Sequence, residues 1–211
     1  MIGSSIGLVF ALSLVLAPVL YQAIGMGGLF GMTGLLALVA ILMVLYVVPA
    51  QPPAEHHDAA PVSFSQVAFD PELLRLNFGI FTLHMAQMAM FVVVPLALVQ
   101  LGGLALPDHW KVYLPALLLS FVLMIPAIIV AEKKNKTKQV FNGAIVLILV
   151  TQIGFALFGS GVWSLAFFLF IFFAGFNILE ASLPSMISRI APPQSKGLAL
   201  GIYNTVQALG L

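Results

Sequence analysis

The residue with the most chemical potential in this sequence is Glu180. It sits in a long apolar run from Trp163 to about Arg189, and a carboxylate buried in hydrocarbon is costly unless it is protonated, paired or solvated. It precedes Arg189 by nine positions, roughly 14 Å along a helix. Asn177, Glu180 and Pro184 share one helical face at spacings of three and four. Two roles suit such a carboxyl group. It can take up and release a proton as its access alternates between two sides of a membrane, or it can fix helix packing through hydrogen bonds.

A second set lies in the run from Asn77 to Leu101. Asn77, His84, Gln87 and Met88 fall on one face, with Phe91 and Pro95 one and two turns further on. A polar stripe on an apolar helix points into a bundle. An unperturbed imidazole titrates near neutrality, which suits His84 to relaying protons; a neutral histidine bonded to a neighbouring helix is the structural alternative. Glu180 and His84 are thus the candidates for proton coupling. Near the end of the chain, Tyr203, Asn204 and Gln207 also share a face, and either line the same polar interior or hold helices together. Asn77, Gln87, Asn177, Tyr203, Asn204 and Gln207 are the candidates for lining a cavity.

Other chemistries are poorly supplied. An enzyme using Glu180 and His84 as a catalytic or metal pair would need more His, Asp or Glu at the same depth, and the apolar runs hold few. His56 and His57 lie between Glu55 and Asp58, but adjacent residues without a fixed scaffold do not converge on one ion, so neither a metal nor a cofactor is assigned. There is no phosphate-binding GxxxxGK[ST] loop and therefore no nucleotide motor in this chain. A net charge of +1 offers no basic face for nucleic acid. With no cysteine, disulfides and thiolate metal sites are excluded.

These side chains need elements to hold them, and composition says which. Of the 211 residues 62% are hydrophobic and 7% charged, against about a quarter charged in soluble domains. Six runs are long enough to cross a hydrocarbon core of about 30 Å: Ile2 to Gln22, Gly28 to Val48, Asn77 to Leu101, Val112 to Ala131, Val140 to Phe158, and Trp163 to about Arg189. A seventh opens near Leu198 and stops at Leu211, as though the sequence ended inside a helix of a longer protein. The expected fold is an all-α membrane protein with six full transmembrane helices and a truncated seventh. No signal peptide is read at the start, because Met1 opens an apolar run longer than a signal h-region with no charged residue before it.

The cations orient the helices. Arg75, Lys133, Lys134, Lys136, Lys138, Arg189 and Lys196 fall on one side and only Lys111 on the other, so the lysine-rich side is cytoplasmic. Trp163 and the Trp110 to Tyr113 stretch then sit at the outer interface. Pro49 to Pro61 is too polar and Pro-rich to enter the membrane and divides two helix groups. After it, Ser63 to Phe69 suits a short interfacial helix, and Asp70-Pro71-Glu72 is a strong helix start, with Asp as N-cap and Pro at the first helical position. Gly3, Gly7 and Ala11 recur every four residues, followed by Ala17 and Pro18, giving a smooth face for close helix packing.

Ala131-Glu132-Lys133-Lys134-Asn135-Lys136 resembles the second, degenerate copy of the acidic-basic cytoplasmic loop motif of the major facilitator superfamily, with Asn135 in place of the usual glycine and Glu132 in place of aspartate. The loop-motif residues are Glu132, Lys133, Lys134 and Lys136. The small-residue face ending at Ala17-Pro18 resembles the Gly-Pro motif of the fifth helix of that superfamily's proton-driven drug exporters, with alanine for the expected glycine. The segments LLRLNFGI, DHWKVYL, KQVF and FNILEASLPSMIS are similar to a bacterial inner-membrane member.

The resemblance implies a partial twelve-helix fold, helices five to ten and the start of eleven. Residues 1–48 would be the last two helices of the N-terminal bundle, 49–76 a cytoplasmic linker with an amphipathic segment, and 77–211 an incomplete C-terminal bundle. It further implies a multi-pass protein of the bacterial cytoplasmic membrane, a monomer when complete, whose partners are a small-molecule substrate, protons and the lipid bilayer. The expected function is secondary active transport, proton-coupled export of small organic compounds by alternating access. Metabolite uptake or facilitated transport, and a non-transporting structural or sensory subunit, stay open as alternatives. Helices one to four and twelve being absent, the chain alone is expected not to transport.

Overall fold

The computed structural model describes residues 2–49 and 63–211; the side chains of residues 2–8, 10, 11, 14, 15 and 18 are also outside the description. The packing face expected at Gly3, Gly7, Ala11 and Pro18, and the histidines of the linker, therefore lie outside the described residues, while Ala17 is exposed. The described secondary structure is helical, without a strand. It comprises α1 (Ile2–Tyr46), α2 (Phe64–Ala68), α3 (Pro71–Gln100), α4 (Trp110–Lys133), α5 (Thr137–Phe158), α6 (Val162–Ile190) and α7 (Lys196–Leu209). Among the described residues five helical segments are long and apolar enough to cross a membrane: Val19–Tyr46, Pro71–Gln100, Leu106–Lys133, Thr137–Phe158 and Val162–Ile190.

Two compact units form, Leu12–Ala60 and Met1–Ala11 with Pro61–Leu211. In α1 the two runs expected as separate helices make one helical stretch, broken at Gly25, whose φ of 65° and ψ of −176° suit a residue without a Cβ. Its large side chains, among them Phe30, Leu38 and Leu45, are exposed, as suits a helix in a hydrocarbon environment.

The second unit is built around α6. Phe172 through Leu179 are buried without interruption, and α3, α4, α5 and α7 all pack against this helix. The close approach of α5 depends on small residues. A Cβ on Gly175 would stand 3.1 Å from the Ala144 carbonyl oxygen, and one on Gly154 would come within 2.1 Å of the Phe168 ring, itself packed against Phe155 and Phe167.

The helix ends follow from local chemistry. Ser63 and Gln66 form a reciprocal capping box at the start of α2. The Asp70 carboxylate accepts from the backbone N–H groups of Glu72 and Leu73, and Pro71 occupies the first helical position, where no donor is needed. The helix therefore starts at Pro71 rather than at Asn77, the first residue of its apolar run. Asn135 ends α4 in the left-handed region, at φ 51°. The Lys136 N–H donates to the Ala131 carbonyl at 3.0 Å and the Asn135 N–H to that of Glu132 at 3.4 Å, the paired bonds of a Schellman cap. Glu132, Lys133, Lys134 and Lys136 are all exposed around this turn.

Two consequences can be checked by thermal unfolding in detergent micelles. Gly154→Val should separate α5 from α6 and destabilise by about 1–3 kcal/mol, the usual cost of overpacking. Asn135→Gly should be neutral or mildly stabilising, whereas Asn135→Val, forced into the left-handed region, should lose about 1–2 kcal/mol.

Candidate functional site

Three helices bring their polar residues to one place. His84 projects from the middle of α3, Glu180 from α6 and Gln207 from α7. Gln207 Nε2 lies 3.0 Å from His84 Nε2 and 3.2 Å from Glu180 Oε1. Glu180 Oε2 is 3.8 Å from His84 Nε2 and is buried with no hydrogen-bond partner. The other ring nitrogen, His84 Nδ1, stands 3.2 Å from the Ile80 carbonyl oxygen one turn earlier. The Phe176 ring meets the imidazole edge-on at a centroid separation of 5.6 Å.

The hydrogens in this cluster follow from donor and acceptor types. A carbonyl oxygen only accepts, so Nδ1 of His84 carries the hydrogen. A primary amide nitrogen only donates, so Nε2 of His84 accepts from Gln207. Both bonds demand the same neutral imidazole, and the second amide hydrogen of Gln207 goes to the Glu180 carboxyl.

Gln207 can reach because α7 lies close to α3. A Cβ on Gly210 would come within 2.5 Å of the Phe81 carbonyl oxygen and 3.1 Å of His84 Cβ. Tyr203, one turn before Gln207, is 2% exposed, its hydroxyl unpaired and within electrostatic reach of Glu180.

The remaining candidates are distributed around this cluster. Asn77 is buried two turns before His84 with its carbonyl oxygen unpaired, and Gln87 is half-buried. Asn177 turns to a different neighbour: its amide donates to Ser120 Oγ of α4 at 2.8 Å, and that hydroxyl donates to the Leu117 carbonyl at 2.6 Å. Ser120, fully buried, was not singled out by spacing; its signal was a lone hydroxyl midway along an apolar run. Asn204 is exposed, so it does not share the buried face of Tyr203 and Gln207. A cleft of about 820 Å³ opens between α3, α5 and α6, with Phe78, Leu83, Ile145 and Leu179 in its walls. None of the polar candidates lines it, because it lies on other faces of the same helices. Among the described residues no group of three or more His, Cys, Asp or Glu side chains is placed to hold a metal ion.

Comparison with known proteins places this arrangement in context. The chain is 40% identical to the inner membrane transport protein YajR of Escherichia coli, over its whole length and 47% of that protein. It is 34% identical to an uncharacterised transporter of Buchnera aphidicola subsp. Acyrthosiphon pisum over 65% of the chain and 35% of that protein. A further uncharacterised transporter, from Buchnera aphidicola subsp. Baizongia pistaciae, is 26% identical over the full chain and 55% of its own length. The chain thus spans about half the length of the curated relatives it matches. No solved structure matches it. The Major Facilitator Superfamily matches throughout, over residues 1–211, and the chain belongs to that superfamily.

Proposed function

We propose that this chain is part of a twelve-helix secondary transporter of the bacterial cytoplasmic membrane, exporting small organic compounds in exchange for protons. The observation that carries the reading is the cluster of Glu180, His84 and Gln207 in the interior of a membrane bundle. Intramembrane ionisable groups mark ion paths, and a carboxylate and an imidazole bridged by an amide make a place where a proton can rest. Membership of the superfamily and the names of the relatives indicate a transporter rather than an enzyme. In this reading Glu180 is the proton site and His84 its relay. Asn77, Gln87, Asn177 and Tyr203 extend the polar interior through which substrate passes, and the Glu132 to Lys136 turn lies on the cytoplasmic side.

The test uses the complete gene product in efflux-deficient cells. Accumulation of fluorescent lipophilic cations should fall when the wild type is expressed, and a protonophore should restore it. Glu180→Gln at equal expression should bring export to near background. Unchanged export by that variant would move Glu180 to a packing role, and accumulation that rises with an inward proton gradient would reverse the direction to uptake.

Orientation is open to a separate check, because the chain contains no cysteine. Ser160→Cys and Lys134→Cys place single thiols in exposed turns at opposite ends of α5. A membrane-impermeant maleimide should label the first in intact cells and the second only in inverted vesicles. The converse pattern would overturn the cytoplasmic assignment of the lysine-rich turn.

A further inference from the structure

We propose that Gln207 is a positioning residue: its amide, together with the Ile80 carbonyl, holds His84 in the Nδ1–H tautomer and bridges the imidazole and Glu180, occupying the Nε2 lone pair that an incoming proton would take. This rests on the proton-coupled reading for its consequence, but the geometry that carries it is independent of transport. The amide nitrogen is within hydrogen-bond distance of both ionisable groups, while those groups are 3.8 Å apart and make no direct hydrogen bond. Turning the amide by half a revolution would aim its oxygen at Nε2, whose lone pair would then face another acceptor. The neutral ring therefore fits only the orientation seen.

A proton arriving from the aqueous side adds one N–H at Nε2 and one positive charge, and nothing else in the ring changes. The imidazolium then donates at both nitrogens, and the Gln207 NH₂ group can no longer face it. Two arrangements satisfy the new donor. The amide turns so that its oxygen accepts from Nε2–H, or it withdraws and Nε2–H closes on Glu180 Oε2, the buried carboxyl oxygen left without a partner. Either way the bond that ties α7 to α3 is replaced. Gln207 is on α7 and the two groups it bridges are on α3 and α6, so protonation state and helix arrangement are linked through one side chain.

Among the described residues of the second unit no other charge competes for this role. The titratable groups in the cluster are His84 from α3, Glu180 from α6 and Tyr203 from α7. The remaining charged and titratable residues named on the packed helices lie toward their ends. Glu72 and Arg75 are in the first two turns of α3, and Lys111 and Tyr113 in the first of α4. Glu132 and Lys133 close α4, Lys138 opens α5, Arg189 closes α6 and Lys196 opens α7.

Nitrogen-15 NMR of histidine-labelled full-length protein in liposomes reads the tautomer directly, with the His84 signals identified by their loss in His84→Gln. At mildly alkaline pH the wild type should show a neutral ring protonated at Nδ1. Gln207→Met keeps the length and removes both donors, which frees Nε2 to donate to Glu180, and the single-tautomer pattern should be lost. An Nε2–H ring in the wild type overturns the proposal, as does the wild-type pattern persisting in folded Gln207→Met. Failure of the transport reading is separable: export unaffected by Glu180→Gln removes proton coupling through that carboxyl and leaves the tautomer lock standing.

Discussion

Inside a hydrocarbon layer a polar group finds no water, so each one must be satisfied by protein. This constraint bears hardest on α6, which is buried along Phe172–Leu179 and carries Asn177 and Glu180 at its centre. Apolar contact alone does little to choose among arrangements there, because lipid tails are as apolar as leucine and close packing and polar contacts carry the preference. Asn177 donates to Ser120 of α4, and Glu180 accepts from Gln207 of α7, which also bonds His84 of α3. Three neighbours of α6 are thus placed by two side chains. The fourth, α5, is placed by absence of bulk, at Gly154 and Gly175.

Much of the fold was legible in the sequence because the dominant signals are local. Apolar runs gave α4 to α6 to within a few residues, and cap chemistry located the start of α3 at Pro71 where hydrophobicity alone would have put it at Asn77. The Asn135 turn is a similar case: asparagine is the residue other than glycine that most readily takes the left-handed conformation, and it does so where the superfamily's loop motif has glycine. The break in α1 was less legible. Gly25, Gly27 and Gly28 cluster there, and spacing does not say which of several adjacent glycines leaves the helical region.

The site was legible in its members more than in its pairings. Helical spacing tells which residues share a face and says nothing about which helix that face meets. Glu180 and His84 were found as isolated polar residues in apolar runs, yet Gln207 and His84 are 123 positions apart and only the packing of α7 on α3 joins them. Asn177 shows a finer limit. Three positions on a helix turn through about 300°, so Asn177 and Glu180 diverge by enough to reach different neighbours. Asn204, adjacent to Tyr203, diverges further and is exposed.

The packing role of Glu180 and the proton-carrying role proposed for it, distinct alternatives when read from sequence, draw on the same bonds. An interhelical hydrogen bond in a membrane is worth about 0.6–2 kcal/mol, and moving one elementary charge through the membrane potential is worth about 2.3 kcal/mol per 100 mV. Those magnitudes are comparable, so a proton arriving at His84 is strong enough to exchange the bonds of Gln207. Inverting a strongly one-sided two-state equilibrium takes roughly 5.5 kcal/mol, more than that exchange supplies by itself. The cluster is therefore suited to biasing the seat of α7 against α3 and α6, and in the transport reading proposed above a full change of access needs further contacts, and bound substrate, that also differ between the two arrangements.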